Sequence, residues 1–281
     1  MFDYDVIVVG CGPSGLMAAA ELKEKGVNVL GVDKKPKLDE NVRAASGFFI
    51  DGQEMNGEYI KVEPLKGKTK ITYTKCGFSL EYSKPMEAIF HTHLIVNSGK
   101  RFQATTRKKP LYRTFNPTTW LSDRYKRAKK LGVPFMTDTL AIRAKEITGG
   151  VELQLRTKGK PTTKTCRKLI ASDGLQSRIT RNLGLNRKRI MFGKGPTIEY
   201  EMINVDCPAL PGKNAYDMIE FFTKKGPFAK WFKKAEVVET SAAIVEMFTP
   251  LNPPYQGNIL IIGDAAAYAE VLYQGATMCG Y

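Results

Sequence analysis

The run Asp5–Val9 is apolar after its first residue and stops at Gly10. Beyond it, Gly15–Lys25 (GLMAAAELKEK) has helix-forming composition, with Leu16, Ala19, Ala20 and Leu22 on one side, and a second apolar run, Val27–Val32, stops at Asp33. This order predicts a strand, a tight turn, a helix, a second strand and an acid, the layout of a dinucleotide-binding βαβ unit. Two later apolar runs end in the same manner. Leu169–Ala171 leads into Ser172-Asp173-Gly174, and Asn258–Ile262 leads into Gly263-Asp264-Ala265-Ala266.

Between these runs the pattern changes period. Ile71–Thr74, Phe78–Tyr82 and His93–Val96 are short stretches of β-formers separated by Gly, Pro or Asn, so Tyr59–Phe102 reads as β-rich. Pro117–Leu131 reads as a helix with Asn116 as N-cap, proline in the first turn and Gly132 just past its end. Val151–Thr157 and Thr162–Ile170 predict a hairpin that feeds the Asp173-Gly174 segment, and a helical stretch from Ser177 runs on to Gly184. No internal repeat or low-complexity tract interrupts the chain. Nucleotide-binding and β-rich stretches alternate, which predicts a discontinuous two-domain arrangement: 1–58, 103–186 and 256–281 in one domain, 59–102 and 187–255 in the other.

The Gly-rich turn has a physical role at each position. Gly10 permits the tight turn, Gly12 lets backbone approach a pyrophosphate without a Cβ in the way, and Gly15 allows close packing of helix on strand. The helix that follows offers free N–H groups and a partial positive charge to the phosphates. Asp33, eighteen residues after Gly15, is placed to accept hydrogen bonds from the ribose hydroxyls of an adenosine. Asp173, at the end of its strand, can bring a carboxylate to the same pyrophosphate. Asp264 can bind a polyhydroxyl chain such as the ribitol of a flavin.

Composition narrows the function classes. The 281 residues suffice for one large domain or two intimate ones, and the 43% hydrophobic content is ordinary for a soluble globule. Neither a spanning run nor a secretory leader is visible, and Cys11, Cys76, Cys166, Cys207 and Cys279 are scattered without CxxC spacing. Together these point to reduced thiols in a cytoplasmic protein, with no disulfide framework and no metal site. A net charge of +15 favours anionic partners: a phospholipid surface, an anionic substrate or an acidic protein. Each basic cluster, such as Lys34-Lys35 or Arg107-Lys108-Lys109, is also explained by a solvated surface. No stacking-aromatic motif accompanies the charge, which argues against nucleic acid. His91 and His93, the two histidines, share one face of a strand but have no carboxylate or thiol companions in the sequence. No side chain stands out as a catalytic proton donor.

The three Gly/Asp segments in this order resemble the FAD-dependent oxidoreductases of the para-hydroxybenzoate hydroxylase fold, and within them the geranylgeranyl reductase family. The resemblance implies an α/β fold, with a Rossmann-like FAD-binding domain and an inserted β-rich substrate domain. It implies FAD held by Gly10, Gly12, Pro13, Ser14, Gly15, Asp33, Lys34, Asp173, Gly174, Gly263 and Asp264. It matches Arg113, in Leu111-Tyr112-Arg113-Thr114-Phe115-Asn116, to the family's cofactor-contacting arginine, and places Arg43 as a second. In Glu270–Met278, Gly275 fits the family's glycine beside the flavin ring; Leu272 stands where the family has proline, and Thr277 where it has a second glycine. Backbone donors at Ala276 and Thr277 are then the groups that face a reduced flavin. The thiol that several reductases of the family carry after the arginine region is absent from Arg43-Ala44-Ala45-Ser46-Gly47.

The expected activity is hydride or electron transfer between flavin and an apolar prenyl or quinone-like substrate, with NAD(P)H or another reductant as donor. Flavin monooxygenation, or an FAD-carrying subunit that docks an acidic redox partner, are the alternatives. The location this implies is cytoplasmic, with peripheral membrane contact as an extension.

Overall fold

The computed structural model describes residues 1–40, 47–49, 54–55, 57–95, 101–203, 220–225 and 229–267. The chain opens with β1 (Tyr4–Val9), α1 (Pro13–Glu24) and β2 (Val29–Val32). Helix α1 starts two residues before the apolar pattern predicts, because Gly12 takes the extended N-cap conformation (φ −79°, ψ −169°) and proline is preorganised for the first turn. Short strands β3 (Phe48–Phe49) and β4 (Glu54–Met55) precede a meander of β5 (Glu58–Leu65), β6 (Lys68–Tyr73) and β7 (Phe78–Tyr82). After it come β8 (Glu87–Ile89), the hairpin β9 (His91–Ile95) and β10 (Arg101–Thr105), and β11 (Tyr112–Thr114).

Helix α2 (Pro117–Lys130) begins where predicted, with Asn116 Oδ1 accepting from the Thr119 N–H at 2.9 Å. Then follow β12 (Phe135–Met136), β13 (Thr139–Ile147), β14 (Gly150–Thr157), β15 (Lys160–Ala171) and the short α3 (Arg178–Asn182). Ser177 caps α3 by accepting from Thr180 N at 2.9 Å. A long hairpin, β16 (Met191–Ile203) with β17 (Glu236–Phe248), is followed by β18 (Tyr255–Gln256) and β19 (Ile259–Ile261).

The main sheet runs in the order β12, β2, β1, β15, β14, β13. Strand β15 does two jobs along its length. Its first half closes the predicted hairpin with β14, and its second half runs parallel to β1 on one edge and to β19 on the other. Ile7, Leu30, Val32, Leu153, Leu169 and Ile261 from these strands are buried in one cluster. On the other side of β1, Val6 and Val8 pack against Ala19 and Ala20 of α1, so the small residues of α1 let helix and sheet approach. Such burial is worth about 25 cal/mol per Å² of apolar surface.

The meander packs on the helices rather than on the main sheet. Tyr73, Phe78, Leu80 and Tyr82, one face of it, form a buried cluster with Met17 of α1 and Phe115 and Trp120 at α2. Asp123 Oδ2 accepts from Ser83 N at 2.7 Å, and Asn116 N donates to Tyr82 Oη at 3.1 Å. The observed architecture is mixed α/β, with a Rossmann-like unit at the N-terminus and separate β-rich sheets.

Candidate functional site

Parallel pairing sets the site. Val9 pairs with Val32 on one side and Ala171 on the other, and Ala171 pairs with Ile261. The four strands therefore end level, and Gly10–Gly15, Asp33, Ser172–Gly174 and Gly263–Asp264 emerge together along one sheet edge. Between β1 and β15 the connectivity reverses direction, since β1 continues through α1 to β2 on its opposite side. Ligands of open α/β sheets bind in the crevice at such a switch point.

Contacts between the segments are close enough to explain their glycines. Gly10 has φ +91°, and a Cβ there would overlap the backbone of Ser172 and Asp173. At Gly15 a Cβ would overlap the carbonyl of Gly10, and at Gly263, with φ +60°, the hydroxyl of Ser14. Ser172 Oγ lies 2.9 Å from the carbonyl oxygen of Val9 and 2.6 Å from that of Gly10, which share its one proton, its N–H donates to Val9 O, and Ile262 N donates to Ala171 O. Gly12 differs from its neighbours. Among the described residues, no atom beyond its chain neighbours lies within 4 Å of where its Cβ would stand. Its bareness therefore has no packing cause among the described residues and fits the open approach that a pyrophosphate needs.

Asp33 is buried and fastens the Gly-rich turn: Oδ2 accepts from Cys11 N at 2.6 Å and Oδ1 from Lys35 N at 2.8 Å. The carboxylate thus sits inside the turn while retaining lone pairs for a ribose. Lys34 beside it is exposed. Asp173 Oδ2 caps α3, accepting from Arg178 N at 2.8 Å, and Oδ1 is buried without a hydrogen-bond partner. Burial raises the Asp173 pKa, against the opposing pull of the Ser177, Arg178 and Ile179 donors. An orphaned carboxylate oxygen is costly, and a ligand hydroxyl or bound water fits it. Arg113 lies half-buried in the middle strand of β3-β11-β8, and Gly47 packs so closely on Phe115 that a Cβ would overlap its carbonyl.

Several expectations meet a different local structure. Gly263–Ala265 forms a single tight turn, with Ala266 N donating to Gly263 O, rather than a longer helix within the described residues. Strand β2 starts at Val29, two residues after its apolar run begins, because Val27 N turns back to Leu22 O to close the end of α1. Cys11 and Cys166 are buried, Cys76 is exposed, and none of the three is in a disulfide. Burial pushes the Cys166 thiol up to about 12, as it raises Cys11, which disfavours the thiolate at both. His91 and His93 lie two apart on β9, but their side chains fall outside the described residues, as do Arg43, Gly275, Ala276, Thr277, Cys207 and Cys279. Among the described residues no cluster of metal-ligating side chains occurs, and no helix is long and apolar enough to cross a membrane.

Two contributors were not marked by the motifs. Ser172 stitches the second segment to the first, and its place just before Asp-Gly at a strand end is the signal that could have found it. The other is Glu146, whose carboxylate accepts from Asn258 N (2.6 Å) and Nδ2 (2.9 Å) and so seats the turn that launches β19. Nothing local in the sequence pairs residues so far apart.

Similarity to known proteins covers the same ground. The family described as FAD binding domain matches residues 3–47, the βαβ unit and the segment after it. A digeranylgeranylglycerophospholipid reductase of Methanosphaerula palustris is 23% identical over 319 aligned positions, covering 97% of this chain and 72% of that protein. The enzyme of the same description from Methanocaldococcus jannaschii is 25% identical, with 97% and 72% covered. A geranylgeranyl bacteriochlorophyll reductase-like protein from Thermoplasma acidophilum superposes with a TM-score of 0.69 at 17% identity, over 99% of this chain and 76% of that one. The shared fold, the FAD-binding match on the Gly-rich unit and the near full-length similarity agree. The chain is related to the FAD-binding flavoenzymes of the geranylgeranyl and digeranylgeranylglycerophospholipid reductase group.

Proposed function

We propose that the chain is an FAD-dependent oxidoreductase that transfers hydride or electrons between flavin and an apolar, prenyl or quinone-like substrate. The observation that carries this reading is the convergence of four strand ends at the switch point, where the Cβ position of Gly12 is clear of every described residue beyond its chain neighbours and Asp33 and Asp173 offer acceptors. Bound FAD would supply the two-electron chemistry; the chain supplies seating and electrostatics. Gly10, Gly12, Pro13, Ser14 and Gly15 form the pyrophosphate turn at the start of α1, whose dipole favours the negative charge. Asp33 takes the ribose, while Asp173-Gly174 and Gly263-Asp264 flank the pyrophosphate and ribitol. Lys34, Arg43, Arg113 and the Gly275-Ala276-Thr277 backbone complete the cofactor set. Residues 59–102 and 187–255 form the substrate side.

NAD(P)H or another reductant is the proposed donor, in a cytoplasmic protein that touches anionic membrane surfaces through its basic excess. The test is an absorbance spectrum of purified protein, followed by anaerobic reduction and readmission of air. An oxidised-flavin spectrum with slow reoxidation is the expected result. Rapid reoxidation by oxygen, linked to NAD(P)H consumption, would turn the assignment to a monooxygenase. A colourless chain that takes up no added FAD would overturn it.

A further inference from the structure

One guanidinium joins the flavin-side turn to the root of the long β16–β17 hairpin. Arg189 stands just before β16, and its Nη1 donates to the carbonyl of Ala265 (3.3 Å) and to Asn186 Oδ1 (3.0 Å). Its Nε donates to the carbonyl of Thr249, the residue after β17, at 3.2 Å, and its Cζ lies over the Phe248 ring, 4.6 Å from the centroid. Around it the two ends of the hairpin are tied to each other: Thr249 N donates to Ile190 O at 2.9 Å, and Ile190 N to Thr249 Oγ1 at 3.0 Å. Leu251 N then donates to Ala266 O at 2.9 Å. The carbonyls at the end of the Gly263–Ala265 turn are thus taken from the hairpin side, while Gly263 at its start lies against Ser14 of the Gly-rich turn.

A planar fork with several donors can bridge carbonyls from two segments at once, which a single ammonium on a flexible stem does poorly. Desolvation lowers the Arg189 pKa, but guanidinium remains charged at neutral pH, so its bonds to carbonyls are charge-assisted. A cation at the carbonyl end of the turn also opposes the partial negative charge there. Each feature fixes the turn in space relative to the hairpin.

We propose that Arg189 is a positioning residue that sets the Gly263–Asp264 turn for the cofactor and couples that turn to the β16–β17 hairpin. It rests on the FAD reading above. Filling the flavin side and ordering the hairpin root then share one element, so each biases the other.

The experiment uses the full chain, freed of flavin and titrated with FAD, in wild type, Arg189→Met and Arg189→Lys. Flavin fluorescence gives the affinity, and hydrogen exchange of the amides of residues 190–192, 249 and 251 gives the coupling, with and without FAD. In wild type, FAD is expected to slow that exchange. Arg189→Met is expected to weaken FAD by about tenfold, the scale of one lost charge-assisted hydrogen bond, and to abolish the FAD-dependent protection. Arg189→Lys should fall between, and millimolar guanidinium should restore part of the affinity of Arg189→Met, which a general loss of folding would not allow. If Arg189→Met does not fold, Arg189→Lys decides alone: affinity and FAD-dependent protection both equal to wild type overturn the proposal. So do wild-type values in Arg189→Met. A wild-type chain that binds no FAD would instead overturn the cofactor reading, and this inference with it.

Discussion

At Gly12 and Gly15 an added Cβ has opposite structural consequences. Gly15→Ala places a Cβ onto the Gly10 carbonyl, so it should lower the stability of the FAD-free protein by about 1–3 kcal/mol as well as stripping the cofactor. At Gly12 an added Cβ meets no described residue beyond its chain neighbours within 4 Å, so the thermal midpoint of Gly12→Val without FAD should stay near wild type while flavin content falls to background. Paired melting curves and flavin absorbance check this. A Gly12→Val chain that keeps its flavin would remove the pyrophosphate assignment. Asp173 offers a third residue-scale contrast. Its folded pKa is raised by burial, so the stability linked to it is present below the ordinary aspartate value and is lost as pH rises through the folded value. Asp173→Asn should therefore stabilise the FAD-free chain at neutral pH by about 0.5–2 kcal/mol and weaken FAD binding. Stabilisation without any loss of affinity would show that the orphaned oxygen serves no ligand.

Helix α2 is the element that carries the meander. Trp120, buried to 1% exposure, fills the middle of the aromatic cluster with Tyr82 and Phe115, whose ring centroids lie 6.3 and 5.2 Å away. Trp120→Ala should cost about 3–5 kcal/mol in denaturant melts. Arg124 beside it is a different kind of buried group. Its guanidinium stacks 4.5 Å from the Trp120 ring and donates to the Glu81 carbonyl, yet Nε and Nη1 have no partner, and burial lowers its pKa to about 10. Replacing an incompletely paired buried charge by an apolar chain of similar length is often nearly neutral. Arg124→Met should thus remain within about 1 kcal/mol of wild type, and a loss as large as that of Trp120→Ala would mean that the unpaired nitrogens hold an ordered water or ion.

Across the whole molecule, charge sets the response to pH and salt. Burial alone would raise the Glu58 pKa, but donors from Lys75, Cys76 and Tyr59 outweigh it and bring the carboxyl to about 2. A depressed folded value means that this stability is present above the ordinary glutamate pKa and is lost as pH falls toward about 2. Glu58→Gln should flatten the acid limb of the stability curve and leave the neutral-to-basic limb parallel to wild type, as urea melts across pH would read. With a net charge of +15, the protein should sediment with anionic vesicles at low salt and release as salt rises. No binding at low salt would remove the membrane reading.

The sequence by itself determined the elements whose signals are local: the βαβ unit, the capped start of α2, the hairpin into Asp173 and the three Gly/Asp strand ends. Periodicity, caps and glycines act within a few residues, so they are legible without the fold. Tertiary structure decided what those pieces share. Parallel pairing of β2, β1, β15 and β19 brings ends more than two hundred residues apart to one edge. It also turned Asp33 into a brace for the Gly-rich turn, gave Ser172 its two carbonyl partners, and placed Arg189 between Ala265 and Thr249. Such contacts join residues distant along the chain, and no propensity of either partner encodes them.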